Sequence, residues 1–159
     1  MLKLHEQPYI QEIRDDRLSN VRLFIKREDI IHPHVSGNKW RKLKYNLLEA
    51  RKQGHHTLLT FGGAYSNHIY ATAAAAKEAG FRSVGIIRGD ELKFKPLNST
   101  LEFADRHGMQ LEFVDRETYR KKNETLFINT LKKKFGEFYL VPEGRSEEHT
   151  SELQSPVPT

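Results

Sequence analysis

Glycine residues recur at regular intervals along this chain, and the segments between them alternate between helical hydrophobic spacing and short apolar runs. Gly54, Gly80, Gly108 and Gly136 each follow a stretch that reads as a helix, and glycine is the residue that most often ends a helix. Each of them is followed within a few residues by a short apolar run, which is typical of a buried strand. Strands that alternate with helices predict an α/β fold, with a parallel sheet of about four strands and helices on its faces.

The predicted helices cover residues 38–53, 66–79, 97–107 and 117–135. The predicted strands of the sheet cover residues 57–61, 83–87, 110–114 and 138–141, and a further strand is expected at 21–27, where apolar and polar residues alternate. Parallel sheets of this kind hold ligands at the carboxyl ends of their strands. The segment 62–68, which follows the first strand of the sheet, is therefore a candidate ligand-facing loop.

Length and composition exclude several classes of protein. A chain of 159 residues suits one ordinary domain with an N-terminal extension. It has no cysteine, which excludes disulfides, thiolate zinc sites and a cysteine nucleophile. No apolar run approaches the roughly 20 residues that cross a bilayer, and the N-terminus lacks the apolar core of a signal peptide. We expect a cytoplasmic protein with no membrane partner.

The formal net charge of +5 leaves three interpretations open. Most basic residues alternate with acids at helical spacing, which is typical of solvated helix faces. A surface for nucleic acid or another polyanion is a weaker alternative, because the lysine clusters at 121–122 and 132–134 are short. The cluster at 39–44 also suits a small anionic ligand.

Lys39 is the first candidate for chemistry. Gly37 and Asn38 precede it and favour a tight turn and a helix cap, so that Lys39 falls in the first turn of the predicted helix. The helix macrodipole disfavours a cation there, and so do Arg41 and Lys42. These effects lower the pKa of an amine, as a Schiff-base lysine requires. An ordinary exposed lysine is the alternative.

The segment 61–68 is the second candidate. Gly62 and Gly63 follow a predicted strand, and Ser66 and Asn67 begin a predicted helix. Free backbone N–H groups at such a helix start can bind a carboxylate or phosphate. An ordinary N-cap explains the same residues, and the segment matches neither the dinucleotide fingerprint nor the P-loop.

Taken together, these segments carry a family resemblance. The motifs and their order are Lys26-Arg27-Glu28-Asp29, then Gly37-Asn38-Lys39-x-Arg41-Lys42-Leu43, then Gly62-Gly63-Ala64-x-Ser66-Asn67-His68, then an alanine-rich helix. In this order and spacing the chain, from about residue 21 to 144, resembles the 1-aminocyclopropane-1-carboxylate deaminase and D-cysteine desulfhydrase family. Its members are pyridoxal-phosphate enzymes of the tryptophan-synthase-β-like fold. The resemblance implies a lyase or deaminase that releases ammonia and a keto acid from a small amino acid.

The resemblance also implies roles for individual residues. Lys39 would form the Schiff base with pyridoxal phosphate and later carry a proton. Lys42 would contact the cofactor phosphate, Asn38 would belong to the loop that presents Lys39, and Asn67 would bond to the hydroxyl of the cofactor ring. Ser66 would be the second catalytic residue.

The substrate is expected to bind at the same turn. By the resemblance, Ser66 would hold the carboxylate of the amino acid together with the backbone of Asn67 and His68. A carboxylate site beside an activated amine is chemically coherent, because it brings the α-amine of the substrate to the cofactor. The sequence does not choose between D-cysteine and the cyclopropane amino acid, although we lean slightly towards a D-cysteine desulfhydrase or a broad deaminase.

The chain departs from the family after Pro142-Glu143-Gly144. Residues 145–159 have no hydrophobic periodicity and look like translated sequencing adaptor, so we expect a disordered, non-native tail. Residues 1–44 are expected to be a piece of the cofactor domain, and residues 45–144 the smaller α/β domain. The rest of the cofactor domain would be missing, so that this fragment would bind cofactor weakly and be inactive. A full-length enzyme is expected to be a homodimer.

Other interpretations remain open at this stage. A small Rossmann-like module that binds a nucleotide or another anion at 62–68 without catalysis is the main alternative. His32 and His34 have a metal-ligand spacing but no evident third ligand, and we expect no metal. Trp40 and Tyr65 are expected to pack in a core or domain interface rather than against a ligand.

Overall fold

The computed structural model describes residues 2–18 and 20–143. The tail at 145–159 and Gly144 lie outside the described residues. The strands are β1 (Ile10–Ile13), β2 (Leu23–Lys26), β3 (Thr57–Gly63), β4 (Arg82–Arg88), β5 (Met109–Val114) and β6 (Tyr139–Leu140). The α-helices are α1 (Gly37–Lys52), α2 (Asn67–Ala79), α3 (Ser99–Arg106), α4 (Arg116–Arg120) and α5 (Thr125–Phe135). Two short 3-10 helices, Glu28–Ile31 and Asp90–Leu92, precede α1 and follow β4.

Four of the strands form one parallel sheet in the order β5-β4-β3-β6. The predicted α/β class and the parallel sheet of four strands are confirmed. β3 lies inside the sheet, and its first six residues are buried because helices cover both faces. β3 is longer than predicted, since it continues through Gly62 and Gly63 to pair with Ile87 and Arg88 of β4.

The two faces of the sheet are covered by different helices. Leu58 packs with buried residues of α1 and α2, and Ile87 packs with residues of α2 and α3. The neighbouring residues Leu59 and Ile86 point to the other face, because side chains alternate along a strand. There they pack against residues of α4 and α5. The expected core residues Tyr119 and Leu131 are buried in this second cluster, and Phe127 is partly buried against it.

α2 is buried around most of its surface, which explains its run of alanines. Ala71, Ala73, Ala75 and Ala76 are at most 2% exposed, and small side chains allow the helix to lie between the sheet and both α1 and α3. Ser66 caps its first turn, and Gly80 ends it with a φ of 75°. That left-handed conformation favours glycine, as the sequence predicts.

The single helix predicted over 117–135 is wrong. The chain forms α4, turns at residues 121–124 and then begins α5. Between Tyr119 and Leu126 the chain has no apolar residue, so no apolar stripe crosses this region to hold a helix against the core. Asn123 is also a poor helix former, and Lys122 turns away to pair with Glu143.

β1 and β2 form a separate antiparallel hairpin, and β1 was not predicted. Ile10 pairs with Lys26 at one end and Ile13 with Leu23 at the other. Leu23, Phe24 and Ile25 are all exposed, although adjacent residues of a strand point to opposite faces. Both faces of β2 are therefore uncovered within the described residues.

Candidate functional site

The candidate site lies at the carboxyl edge of the parallel sheet. Residues 53–56 join the end of α1 to the start of β3, so that α1 runs back along the sheet and its first turn lies near the carboxyl end of β3. α2 starts four residues after β3 ends, which brings its first turn to the same edge. The topology therefore brings Lys39 and the turn that precedes α2 to one side of the sheet, where the charge of Lys39 acts on His68.

Lys39 is half-buried near the start of α1. Burial lowers the pKa of its amine, and the positive charge of Lys42, one turn along the helix, lowers it further. Glu143 acts in the opposite direction and raises the pKa. Among residues 2–18 and 20–143 the side chain of Lys39 has no hydrogen bond and no ion pair. An amine in these surroundings loses its proton more readily than an exposed lysine and becomes a nucleophile.

Ser66 organises the turn between β3 and α2. Its Oγ accepts hydrogen bonds from the backbone N–H of His68 at 3.2 Å and of Ile69 at 3.4 Å. The His68 N–H, expected to bind a substrate carboxylate, is therefore already engaged. Ser66 is partly exposed and its hydroxyl hydrogen can still be donated, while Asn67 is exposed at the first position of the helix. These two residues are better placed to meet a ligand than the His68 backbone.

The side chain of His68 is a feature that the sequence did not reveal. Its Nε2 lies 2.8 Å from Thr60 Oγ1, and the Thr60 hydroxyl donates to the Val141 carbonyl at 3.0 Å. Because that hydroxyl has only one hydrogen, the Nε2–H of His68 must be the donor to Thr60. The lone pair is therefore on Nδ1, which is buried and has no partner among the described residues.

The electrostatic environment keeps His68 neutral. Burial lowers the pKa of its imidazole to about 4, with a further lowering by Lys39 and Lys42 that Glu143 opposes. The same three charged groups thus act on the site from α1 and from the segment after β6. The charge of Lys39 lowers the proton affinity of His68, so that a neutral imidazole with a free acceptor lies near the half-buried amine.

Glu143 lines a cavity of about 340 Å3 beside the ends of β3 and β6. The Tyr119 hydroxyl donates to Glu143 Oε1 at 3.0 Å, and the ammonium group of Lys122 pairs with the other oxygen. Burial and the nearby carboxylate raise the pKa of Tyr119 above its usual range. Phe61 supplies an apolar wall of the same cavity. No motif in the sequence indicated that residues from β3, α4 and the end of β6 meet here.

The other predicted site residues differ in how they are placed. Asn38 and Lys42 are exposed on the first turns of α1, and Lys42 acts on both Lys39 and His68 through its charge. Arg41, which lies between Asn38 and Lys42, donates hydrogen bonds of 2.6 and 3.1 Å to Glu28. It is not among the charged groups that shift the pKa of Lys39. Tyr65 is 80% exposed and does not pack in the core of the described residues.

Trp40 is buried, as predicted. It packs in the core cluster of α1 and α2, and its indole N–H donates to the carbonyl of Lys3 at 3.1 Å. That hydrogen bond satisfies the polar atom of the ring. Trp40 therefore holds the N-terminal segment against α1 rather than facing a ligand.

His32 lies in a cluster with His5 and Glu78, whose potential ligand atoms lie within 4.8 Å of one another. His34 does not belong to this cluster. The backbone N–H groups of His34 and Val35 donate to His32 Nδ1 at 3.1 and 3.0 Å, which leaves the proton on Nε2. That proton is donated to Glu78 at 2.7 Å. Both nitrogens are thus engaged, and the pair is better explained as a structural hydrogen bond than as a metal site.

Comparisons with known proteins agree with the motif pattern, although no protein-family model matches the chain. A putative 1-aminocyclopropane-1-carboxylate deaminase of Thermotoga maritima is 37% identical over 126 residues, covering 78% of this chain and 39% of that protein. A bifunctional D-cysteine desulfhydrase/1-aminocyclopropane-1-carboxylate deaminase of Arabidopsis thaliana is 33% identical over 131 residues, covering 78% of this chain and 33% of that protein. The resemblance predicted from the sequence is confirmed.

The fold agrees with the same family. A crystal structure of a 1-aminocyclopropane-1-carboxylate (ACC) deaminase homologue superposes with a TM-score of 0.71 and 26% identity, over 89% of this chain and 43% of that one. An O-ureido-L-serine synthase structure superposes with a TM-score of 0.57 at 19% identity, which shows a shared fold alone. This chain therefore spans well under half the length of the deaminase and desulfhydrase relatives. No described helix is long and apolar enough to span a membrane.

Proposed function

We propose that this chain is part of a pyridoxal-phosphate-dependent lyase or deaminase that releases ammonia and a keto acid from a small amino acid. The observation that carries the proposal is the position of Lys39. It is a half-buried amine with a lowered pKa, at the same edge of the sheet as the Ser66 turn. A nucleophilic amine beside a helix start that can bind a carboxylate is the pairing that such chemistry needs.

The residues present fit the cofactor. Lys39 would hold it covalently, Lys42 would contact its phosphate from the next turn of α1, and Asn38 would position the loop before Lys39. Asn67, which is exposed at the start of α2, would bond to the ring hydroxyl. Bound pyridoxal phosphate supplies an electron sink for the α-carbon of the amino acid.

The side chains of this chain would then bind and orient the substrate. Ser66 donates its hydroxyl hydrogen to the substrate carboxylate, helped by Asn67. Lys39 accepts and returns protons at Nζ, which the nearby Lys42 and the burial of the amine favour. His68 stays neutral and offers Nδ1 as an acceptor to a donor in the site, whereas its backbone N–H is engaged by Ser66.

The catalytic site needs further protein. The chain covers 39% and 33% of the lengths of two relatives, so we infer that a phosphate-binding loop and a partner for the ring nitrogen come from outside it. We propose that residues 1–44 are a piece of the cofactor domain and residues 45–144 the smaller domain. The exposed apolar residues of β2 support a further covering layer over the first piece. The fragment alone is then inactive, and the whole enzyme is a cytoplasmic homodimer.

The substrate class follows from the relatives, whose names cover both activities. We slightly favour a D-cysteine desulfhydrase or a broad deaminase over an enzyme specific for 1-aminocyclopropane-1-carboxylate. An assay of the uninterrupted protein distinguishes them, since D-cysteine yields sulfide and the cyclopropane amino acid yields 2-oxobutanoate. The proposal would be contradicted if the protein formed neither sulfide from D-cysteine nor 2-oxobutanoate from the cyclopropane amino acid.

Reductive trapping tests the central residue on this chain itself. Pyridoxal phosphate is added with borohydride, which converts any cofactor–lysine bond to a stable amine, and peptide mass spectrometry locates the label. We expect Lys39 to be labelled in preference to the other lysines, because its pKa is lowered, even where cofactor affinity is weak. Lys52→Ala, at the other end of α1, is the matched control for Lys39→Ala.

The trapping result separates the two candidate functions. Lys39→Ala should lose the preferred label while Lys52→Ala keeps it. Label spread evenly over the lysines of the unmodified chain would contradict the proposal. It would instead favour an anion-binding module without catalysis, which the Ser66 turn alone could support.

A further inference from the structure

A second cavity, of about 410 Å3, lies at the carboxyl edge of the sheet where β3, β4 and β5 end. Three arginines line it. Arg88 is the last residue of β4, and Arg116 and Arg120 are the first and last residues of α4. The lining includes Gly63 and Ala64, but not Lys39, Ser66 or His68. The cavity is therefore distinct from the candidate catalytic site.

The charges around this cavity do not balance. Among the described residues, Glu91 is the one acidic residue in the lining, against three arginines. A hydrogen bond from its own backbone N–H and the charge of Arg116 lower the pKa of Glu91, so that it is ionised at neutral pH. Glu91 Oε1 lies 3.4 Å from Arg116 Nη2. In the part of the chain that the structure describes, no carboxylate oxygen lies within 4.0 Å of the guanidinium nitrogens of Arg88 or Arg120. An excess of two positive charges remains.

The position of Arg88 is defined by its neighbours. Its guanidinium carbon lies 5.8 Å from the centre of the Tyr119 ring, within the range of a cation–π interaction. Tyr119 is buried, and its hydroxyl is anchored to Glu143. Arg88 Nη2 also lies close to Gly63, where an added Cβ would be 3.9 Å away. The guanidinium group thus lies near both an anchored aromatic ring and the end of β3.

We propose that this cavity binds a small doubly charged oxyanion of the phosphate class. Guanidinium groups present paired N–H donors that match the oxygens of such an anion. A dianion also offsets the electrostatic repulsion between the guanidinium groups. Arg88 and Arg120 supply the charges that no described carboxylate offsets, and Arg116 supplies a third from the start of α4. The site does not depend on the proposed catalytic function, because none of the residues proposed for catalysis or for binding the cofactor or substrate lines it.

Phosphate titration of the 159-residue chain tests the proposal. Inorganic phosphate is added at constant ionic strength, at a pH where it is mainly dianionic, and NMR follows the backbone amides of Gly63 and Ala64 and the side-chain Nε–H signals of the arginines. We expect saturable shifts at these groups. The Arg88→Gln/Arg120→Gln double variant should bind at least about tenfold more weakly, since charge-assisted hydrogen bonds are lost.

Arg82→Gln is the matched control. Arg82 is exposed at the opposite end of the same strand and does not line the cavity, so its removal changes the net charge alone. We expect its phosphate affinity to stay within about twofold of the unmodified chain, since distant exposed charges are screened by salt. If the amide signals of the double variant lose their dispersion, the variant is unfolded and the single Arg120→Gln variant replaces it. We expect the phosphate affinity of that single variant to be lower by about threefold or more.

Three results would overturn the proposal. The first is the absence of saturable shifts at Gly63 and Ala64. The second is unchanged affinity in a folded Arg88 and Arg120 variant. The third is an equal loss in Arg82→Gln, which would show a response to overall charge rather than a site.

Discussion

Thr60 and His68 form a buried hydrogen bond of 2.8 Å that joins β3 to α2. The same Thr60 hydroxyl donates to Val141, immediately after β6. One side chain thus connects a strand, a helix and the segment that leads to Glu143. It also fixes which nitrogen of His68 carries the proton.

Replacing Thr60 should change the protonation pattern of His68. Thr60→Val leaves the His68 Nε2–H and the Val141 carbonyl without partners, and each loss costs about 1–3 kcal/mol in the free energy of unfolding. We expect the 15N NMR signals of His68 to lose the pattern of a single Nε2–H tautomer. Thr60→Ser is the control, because it keeps the hydroxyl and loses only a methyl group. A wild-type tautomer in Thr60→Val would contradict the assigned hydrogen bond.

His68 should make the fold sensitive to acid. The pKa of its imidazole is about 4 in the folded chain against an ordinary value of 6.5, so the unfolded chain takes up a proton first as the pH falls. The ionisation of His68 leaves the free energy of unfolding unaffected above pH 6.5 and lowers it progressively between pH 6.5 and 4. Below pH 4 the full loss is about 3 kcal/mol.

Urea unfolding at several pH values measures this effect. His68→Gln should flatten the decline between pH 6.5 and 4, while His56→Gln, an exposed histidine before β3, should leave it unchanged. An equal decline in His68→Gln and the unmodified chain would show that other groups cause it.

Gly62 and Gly63 should differ sharply in their tolerance of alanine. A Cβ at Gly62 would lie 2.5 Å from Ile69 Cγ1 and 2.9 Å from Ser66 Oγ, so α2 or its cap must move. We expect Gly62→Ala to lower the free energy of unfolding by about 1–3 kcal/mol. At Gly63 the nearest atom to an added Cβ would be Arg88 Nη2, at 3.9 Å. We therefore expect Gly63→Ala to change the free energy of unfolding by less than about 1 kcal/mol. Equal effects in urea unfolding would argue against the close contact at Gly62.

The pKa of Lys39 should respond to its two charged neighbours in opposite directions. Lys42→Met removes a positive charge and should raise the pKa, whereas Glu143→Gln removes a negative charge and should lower it. The pH dependence of Lys39 modification by an amine-selective reagent, located by mass spectrometry, measures both shifts. Lys52→Met at the far end of α1 should leave the value unchanged. Shifts of the same sign in both variants would contradict the described environment.

Local sequence pattern was sufficient to predict the main elements of the fold. Glycines mark the ends of the helices, and apolar runs mark β3, β4 and β5, because these signals depend on backbone conformation and burial near one residue. The same signals put Lys39 and Ser66 at helix starts. The predicted helix over 117–135 is wrong because the chain has no apolar residue between Tyr119 and Leu126.

The remaining features depend on contacts between distant parts of the chain. Lys39 acts on His68, and Glu143 acts on both, yet they come from α1, α2 and the segment after β6. The sequence indicates an alanine-rich helix, but not that a histidine within it bonds to a strand threonine. Likewise, the arginine-lined cavity collects residues from strand ends whose order in the sheet cannot be read from local pattern.

The β5-β4-β3-β6 order has a kinetic consequence for the chain. The partners Thr60 and Val141 are 81 residues apart, and β6 can pair with β3 only after the intervening strands and helices have been synthesised. Contacts of such large sequence separation form slowly, because a long loop must close first. A nascent chain emerging from the ribosome therefore holds His68 without its anchored partner until β6 arrives.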